Sequence, residues 1–114
     1  MPPAPSSSKR DLLPGTLDML VLKTLTHAPM HGYGIAQHIQ RLSKEVLRIE
    51  EGSLYPALQR LRQNGWVTAD WRQTPNNQRA RYYTITAVGR RQLGEEQSSF
   101  AALVRAIGHV MRPA

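Results

Sequence analysis

Apolar side chains recur along this chain at spacings that run helical, then extended, then helical again. Leu17, Leu20, Val21 and Leu25 follow Pro14-Gly15-Thr16 at helical steps, which predicts a first helix with one apolar face. Met19 and Leu22 lie off that stripe. A helix apolar on more than one side must be covered on more than one side, here by its own domain and, through Leu17 and Leu20, by a second subunit. A Pro and a Gly bracket a short turn over 28–32, and a second helix is predicted from Tyr33 to Ser43 with Ile35, Ile39 and Leu42 inward. In the third helix Ser53 can cap the start, Pro56 falls in the tolerated first turn, and Asn64-Gly65 closes the end. Leu54, Leu58 and Leu61 form its buried stripe. The opposite face presents Ser53, Pro56, Ala57, Arg60 and Gln63, small and polar, open to a wet partner.

The period then changes to two. Val67, Ala69 and Trp71 alternate with Thr68, Asp70 and Arg72 in a strand over 66–73, and aromatic and β-branched residues fill a second strand over 81–85. The two pair as an antiparallel hairpin with a projecting, flexible tip, TPNNQRA. Thr86 caps a last helix in which Phe100, Leu103, Val104, Ile107, Val110 and Met111 repeat at helical spacing, with Leu93 extending the seam. Coming after the hairpin, this helix lacks an intrachain surface large enough to cover it, so a second copy of the chain is the expected cover. The fold expected is mainly α with a small β-hairpin. Residues 1–11, rich in Pro and Ser, form a disordered arm, 12–86 the helices and hairpin, and 87–114 a dimerisation helix.

Composition narrows the function classes. The chain has 114 residues, enough for one modest core. It has no cysteine, which excludes disulfides, thiolate nucleophiles and thiolate zinc sites. No apolar run approaches the roughly 20 residues that cross a bilayer, and the N-terminus carries Pro and Ser where a signal peptide is apolar; a cytoplasmic protein with no membrane partner is expected. Net charge is +7, and between Arg60 and Arg91 seven arginines face a single acid, Asp70. Such a concentration suits a polyanion. His31 and His38 have no third ligand nearby in sequence, Glu50 and Glu51 diverge on a helix, and no phosphate loop or nucleophile elbow occurs. No catalytic residue, metal or cofactor is expected.

Three helices followed by a hairpin is the order of a winged helix-turn-helix, in which one helix enters a DNA major groove about 12 Å wide and the hairpin lies on the flanking backbone. The residues sharpen this. Gly32-Tyr33-Gly34-Ile35, the stretch EEGSLYPALQRLRQNGWV over 50–67, and Arg81-Tyr82-Tyr83-Thr84-Ile85-Thr86 with Gly89 three residues on resemble the motifs of the PadR family of bacterial repressors, from about Leu12 to Leu93. The resemblance implies a winged helix-turn-helix plus one long C-terminal helix, a homodimer through that helix, and double-stranded DNA as partner. It implies Ser53, Tyr55, Pro56 and Arg60 at the groove, Tyr33 on the helix before, and Arg79 and Arg81 on the wing. Gln63 and Asn77 complete the expected DNA-binding set.

The side chains agree for Arg60, whose fork suits phosphate or a guanine edge, and for Arg79 and Arg81 beside the tip. For Tyr55 a phosphate contact and a ring packed on the preceding helix both stand, and Pro56 either touches DNA or shapes the helix start. Compact PadR-like proteins can hold a small apolar effector between subunits against aromatics of the last helix. Here Phe100 is the only Phe, Tyr or Trp on that helix, with no Trp, and Phe100 is read as core or dimer seam. The function expected is repression at a two-fold symmetric operator whose half-sites lie about 34 Å apart. An interaction module without DNA affinity is the alternative, against which Arg60, Arg79 and Arg81 argue.

Overall fold

A computed structural model of the chain describes Leu12 and residues 14–113. The arm expected over 1–11 therefore lies outside the described residues. Helix α1 (Pro14–Leu25) leads into a two-residue strand β1 (Met30–His31), then α2 (Gly32–Leu42), α3 (Glu51–Gln63), strands β2 (Val67–Gln73) and β3 (Arg79–Ile85), and a long α4 (Ala87–Met111). The sheet is antiparallel in the order β1-β3-β2. Strand β1 stands where a plain turn was expected, because Met30 and His31 pair with Tyr83 and Tyr82 on the edge of the hairpin.

Helix α1 is the hub, packing against α2, α3, β3 and α4. Leu17, Met19, Val21, Leu22 and Leu25 are all buried by the chain itself, so the off-stripe residues find their cover within the domain. Leu17, expected at a dimer seam, belongs to this core instead, and Leu20 is partly buried against it. Helix α2 starts at Gly32 under a cap from His31, whose Nδ1 accepts from the Gly34 N–H at 2.9 Å. Ile35 and Ile39 are buried as expected, whereas Leu42 is 63% exposed because the helix has run past the core by its last turn.

Helix α3 begins earlier than its capping signal suggested. The Glu50 carbonyl accepts from the N–H groups of Ser53 and Leu54, at 3.0 and 2.9 Å, so Ser53 lies inside the helix rather than at its cap. Pro56 consequently sits beyond the first turn, where a proline removes one intrahelical hydrogen bond. Leu54, Leu58 and Leu61 are buried as the spacing predicted, but Ala57 is buried with them and does not join the polar face. Gly65, at φ 75°, ends the helix in the left-handed conformation that glycine adopts without steric cost.

Val67 pairs with Ile85 and the ladder runs to Gln73 opposite Arg79, so β3 starts two residues before the expected strand and the tip shrinks to 74–78. That tip is tied down. The Thr74 N–H donates to the Gln78 carbonyl at 2.6 Å, and Asn77, at φ 63°, accepts from Gln73 Nε2 at 2.6 Å. Thr86 caps α4 as expected: its Oγ1 accepts from the Gly89 N–H at 3.0 Å and donates to the Gly65 carbonyl at 2.8 Å. Gly89 is buried so tightly that an added Cβ would run into the Trp66 carbonyl oxygen. Leu93, expected at the seam, completes the intrachain core. From Phe100 onward every α4 side chain described is exposed.

Candidate nucleic-acid interface

The hairpin has two faces, set by its alternation. On one, the paired residues climb from Val67 and Ile85 in the core, through Ala69 and Tyr83, to Trp71 opposite Arg81 and Gln73 opposite Arg79. The face that packs the domain thus becomes, two rungs further out, an exposed wall of aromatic and guanidinium groups. The Arg79 and Arg81 guanidinium carbons lie 5.6 and 5.9 Å from the Trp71 ring centre, within cation–π range. On the other face Arg72 bonds Asp70 at 2.8 Å and lies 5.5 Å from the Tyr82 ring. The Asp70 carboxylate holds the Arg72 guanidinium even above its ordinary value.

Opposite that wall stand α2 and α3. Tyr55 of α3 reaches the start of α2, where Gly32 leaves room for it: a Cβ on Gly32 would come within 2.8 Å of the Tyr55 hydroxyl. The structure thus shows the packed reading of Tyr55, a ring seated on the preceding helix, with nearly half its surface open. Tyr33, Gln37 and Arg41 repeat every fourth residue along α2 and line the same cleft as Trp71, Arg79 and Arg81, a space of about 950 Å³. Gln37, Arg41 and Trp71 had no place in the sequence-derived set; the four-residue polar spacing from Tyr33 was the signal available for two of them.

On α3 the exposed face comprises Ser53, Tyr55, Pro56, Gln59, Arg62 and Gln63. Gln59 and Arg62 replace Ala57 there. Arg60 is partly withdrawn from it, because its Nη2 bonds the Asp18 carboxylate of α1 at 2.9 Å. Burial raises the Asp18 carboxyl above its ordinary value in spite of the hydrogen bond and charge of Arg60, which pull the other way, and nearby Glu96 adds to the rise. The short distance and the pKa direction point in opposite senses, and burial, the larger influence, decides the sign. Arg79 is exposed and Arg81 partly so, while Asn77 is engaged in the tip.

The His27 and His38 rings lie 5.2 Å apart, and burial, then the charges of His27 and Arg41, lower the His38 value. Among the described residues no three His, Asp or Glu side chains converge as a metal site needs, and no helix is long and apolar enough to cross a membrane. Burial pushes the Tyr83 hydroxyl up, as expected for a ring seated under the wing.

Known proteins share this arrangement. The sequence pattern of the transcriptional regulator PadR-like family matches residues 21–95. A transcriptional regulator from Clostridium thermocellum superposes with a TM-score of 0.79 at 26% identity, over 86% of this chain and 95% of that one. A PadR family transcriptional regulator from Eggerthella lenta superposes with a TM-score of 0.73 at 30% identity, over 88% of this chain and 85% of its own. An uncharacterised protein of Lysinibacillus sphaericus is 29% identical over 87 residues, 76% of this chain and 80% of the relative.

Proposed function

The chain belongs to the PadR-like family of transcriptional regulators, and from that premise we propose that it is a cytoplasmic, non-enzymatic repressor that binds a two-fold symmetric DNA operator as a homodimer. One observation carries the reading: Tyr55 of α3, Tyr33 of α2 and the Trp71, Arg79 and Arg81 wall of the wing line one cleft. A helix in the major groove with a cationic hairpin on the neighbouring backbone needs that coincidence. Tyr33, Ser53, Tyr55, Pro56 and Gln63 then meet the groove and its flanks, and Arg79 and Arg81 the phosphates, with Asn77 shaping the tip between the strands. Arg60 contacts DNA only once it leaves Asp18.

Pairing of two copies is supported by the far half of α4. Phe100, Leu103, Val104, Ile107, Val110 and Met111 are 42–83% exposed within one chain. Six large apolar side chains on one helical stripe cost free energy in water that a second stripe removes. Fluorescence anisotropy on duplexes from the chain's own upstream region, with sedimentation to count protomers, tests both parts. Saturable binding of two protomers per palindromic site, weakening steeply with salt, is expected. Equal affinity for every duplex would overturn the operator reading.

A further inference from the structure

We infer that the cleft between α2 and the wing is also a binding site for a nucleotide, a planar base carrying phosphate, and that a nucleotide held there displaces the duplex. The displacement rests on the DNA-facing reading above; the nucleotide site does not.

Three features of the cleft support it. The first is its rings. Tyr33, Trp71 and Tyr55 line one cleft while 67%, 58% and 47% exposed. A duplex offers the flank of a protein sugars and phosphates, its base faces being stacked inside, so it has no base face for the exposed parts of these rings, of which Trp71 lies beside Arg79 and Arg81 and Tyr33 beside His31. A single nucleotide exposes a π-face that any of them can take.

The second is charge. Arg41 approaches from one wall and Arg79 and Arg81 from the other, and no carboxylate lines the cleft among the described residues. Arg81 Nε is shut away from solvent with no hydrogen-bond acceptor. Arg81 as a whole is only partly buried, so a phosphate oxygen in the cleft can meet its guanidinium beside that of Arg79. The third is size. About 950 Å³ lies at the upper end of small-molecule clefts, roughly 300–1,000 Å³. A lone phosphate would leave the rings unused, and an uncharged planar compound would leave the arginines unanswered.

The test uses the full chain with Trp66→Phe, which leaves Trp71 as its single tryptophan. AMP, GMP and a dinucleotide are titrated against Trp71 fluorescence, with adenosine, a sugar phosphate and inorganic phosphate as partial probes, and calorimetry on the unmodified chain repeats each titration independently of the variant. Nucleotides should bind saturably, adenosine and the sugar phosphate each about ten-fold more weakly. Tyr33→Leu and Arg81→Ala should each weaken nucleotide binding by a similar factor, and nucleotide should release labelled duplex at constant ionic strength. Equal binding of sugar phosphate or inorganic phosphate would reduce the cleft to a phosphate contact and overturn the inference, as would no heat and no fluorescence change with any nucleotide. Nucleotide binding that leaves the duplex in place would overturn displacement alone. Nucleotide binding by a protein that takes up no duplex would sink the operator reading and leave this site standing.

Discussion

Asp18 on α1 and Arg60 on α3, 42 residues apart, meet at 2.9 Å and join the helix at the centre of the core to the helix that faces outward. The pair sets the resting position of a long cation that the proposed DNA-binding face would otherwise present. Removing the carboxylate's charge separates the ion pair from the DNA contact proposed for Arg60.

Asp18→Asn should therefore strengthen duplex binding by about two- to five-fold, since a freed guanidinium adds one favourable charge near phosphate. With the Arg60 side chain 40% exposed, loss of the ion pair should change stability by less than about 1 kcal/mol. The pH dependence has a definite sign. Because burial raises the folded carboxyl above 3.8, the folded state holds the proton more tightly than the unfolded one. Asp18 thus contributes stability at low pH that fades as pH rises through the raised value. Urea midpoints measured from pH 3.5 to 7 should show wild type losing ground to Asp18→Asn as pH rises; a widening wild-type advantage would mean the ion pair outweighs burial.

Gly32→Ala would push the Tyr55 ring from its seat, because the new Cβ lies 2.8 Å from the hydroxyl and 3.0 Å from Cε1. The obstacle is the far end of a rotatable side chain, so stability should fall by no more than about 1–3 kcal/mol. Duplex affinity should drop about ten-fold if Tyr55 has a set position at the groove. Anisotropy and urea denaturation on the same preparation distinguish the two effects.

Gly89→Ala meets backbone instead, the Trp66 carbonyl. That wall cannot turn aside, so this variant should lose about 1–3 kcal/mol or more, while Thr86→Ala, which removes the α4 cap, should lose about 1 kcal/mol. Chemical denaturation should rank them in that order.

Leu103→Glu with Ile107→Glu should leave a folded monomer. Both side chains are half exposed within one chain and contribute nothing to its core, yet each would bring about 1.5–3 kcal/mol to a paired stripe. Sedimentation should show the mass halved with far-UV circular dichroism retained; an unchanged mass would place the subunit contact elsewhere.

Arg79→Ala and Arg81→Ala should each lower the salt dependence of duplex binding by about one unit of slope, as loss of one phosphate contact requires. Arg72→Ala, whose side chain is held by Asp70 on the other face of the hairpin, should leave the slope unchanged. Affinities measured across a salt series provide the comparison.

Local order was legible in the residues themselves. The Thr86 cap, the Gly65 helix end, the alternation of Val67, Ala69 and Trp71, and the apolar stripe from Phe100 to Met111 depend on neighbours within a turn or across one hairpin, and spacing alone specifies them. Packing decided the rest. Met19, Leu22 and Ala57 are buried because α1 lies among four elements, and Leu17 and Leu93 belong to the core for the same reason. Met30 and His31 form a strand only because β3 offers them an edge. No period in the chain announces that Arg60 will find Asp18, or that Tyr33, Tyr55 and Trp71 will open onto one cleft. Such meetings depend on the angles at which distant elements pack, and those angles are a property of the assembled core rather than of any stretch of sequence.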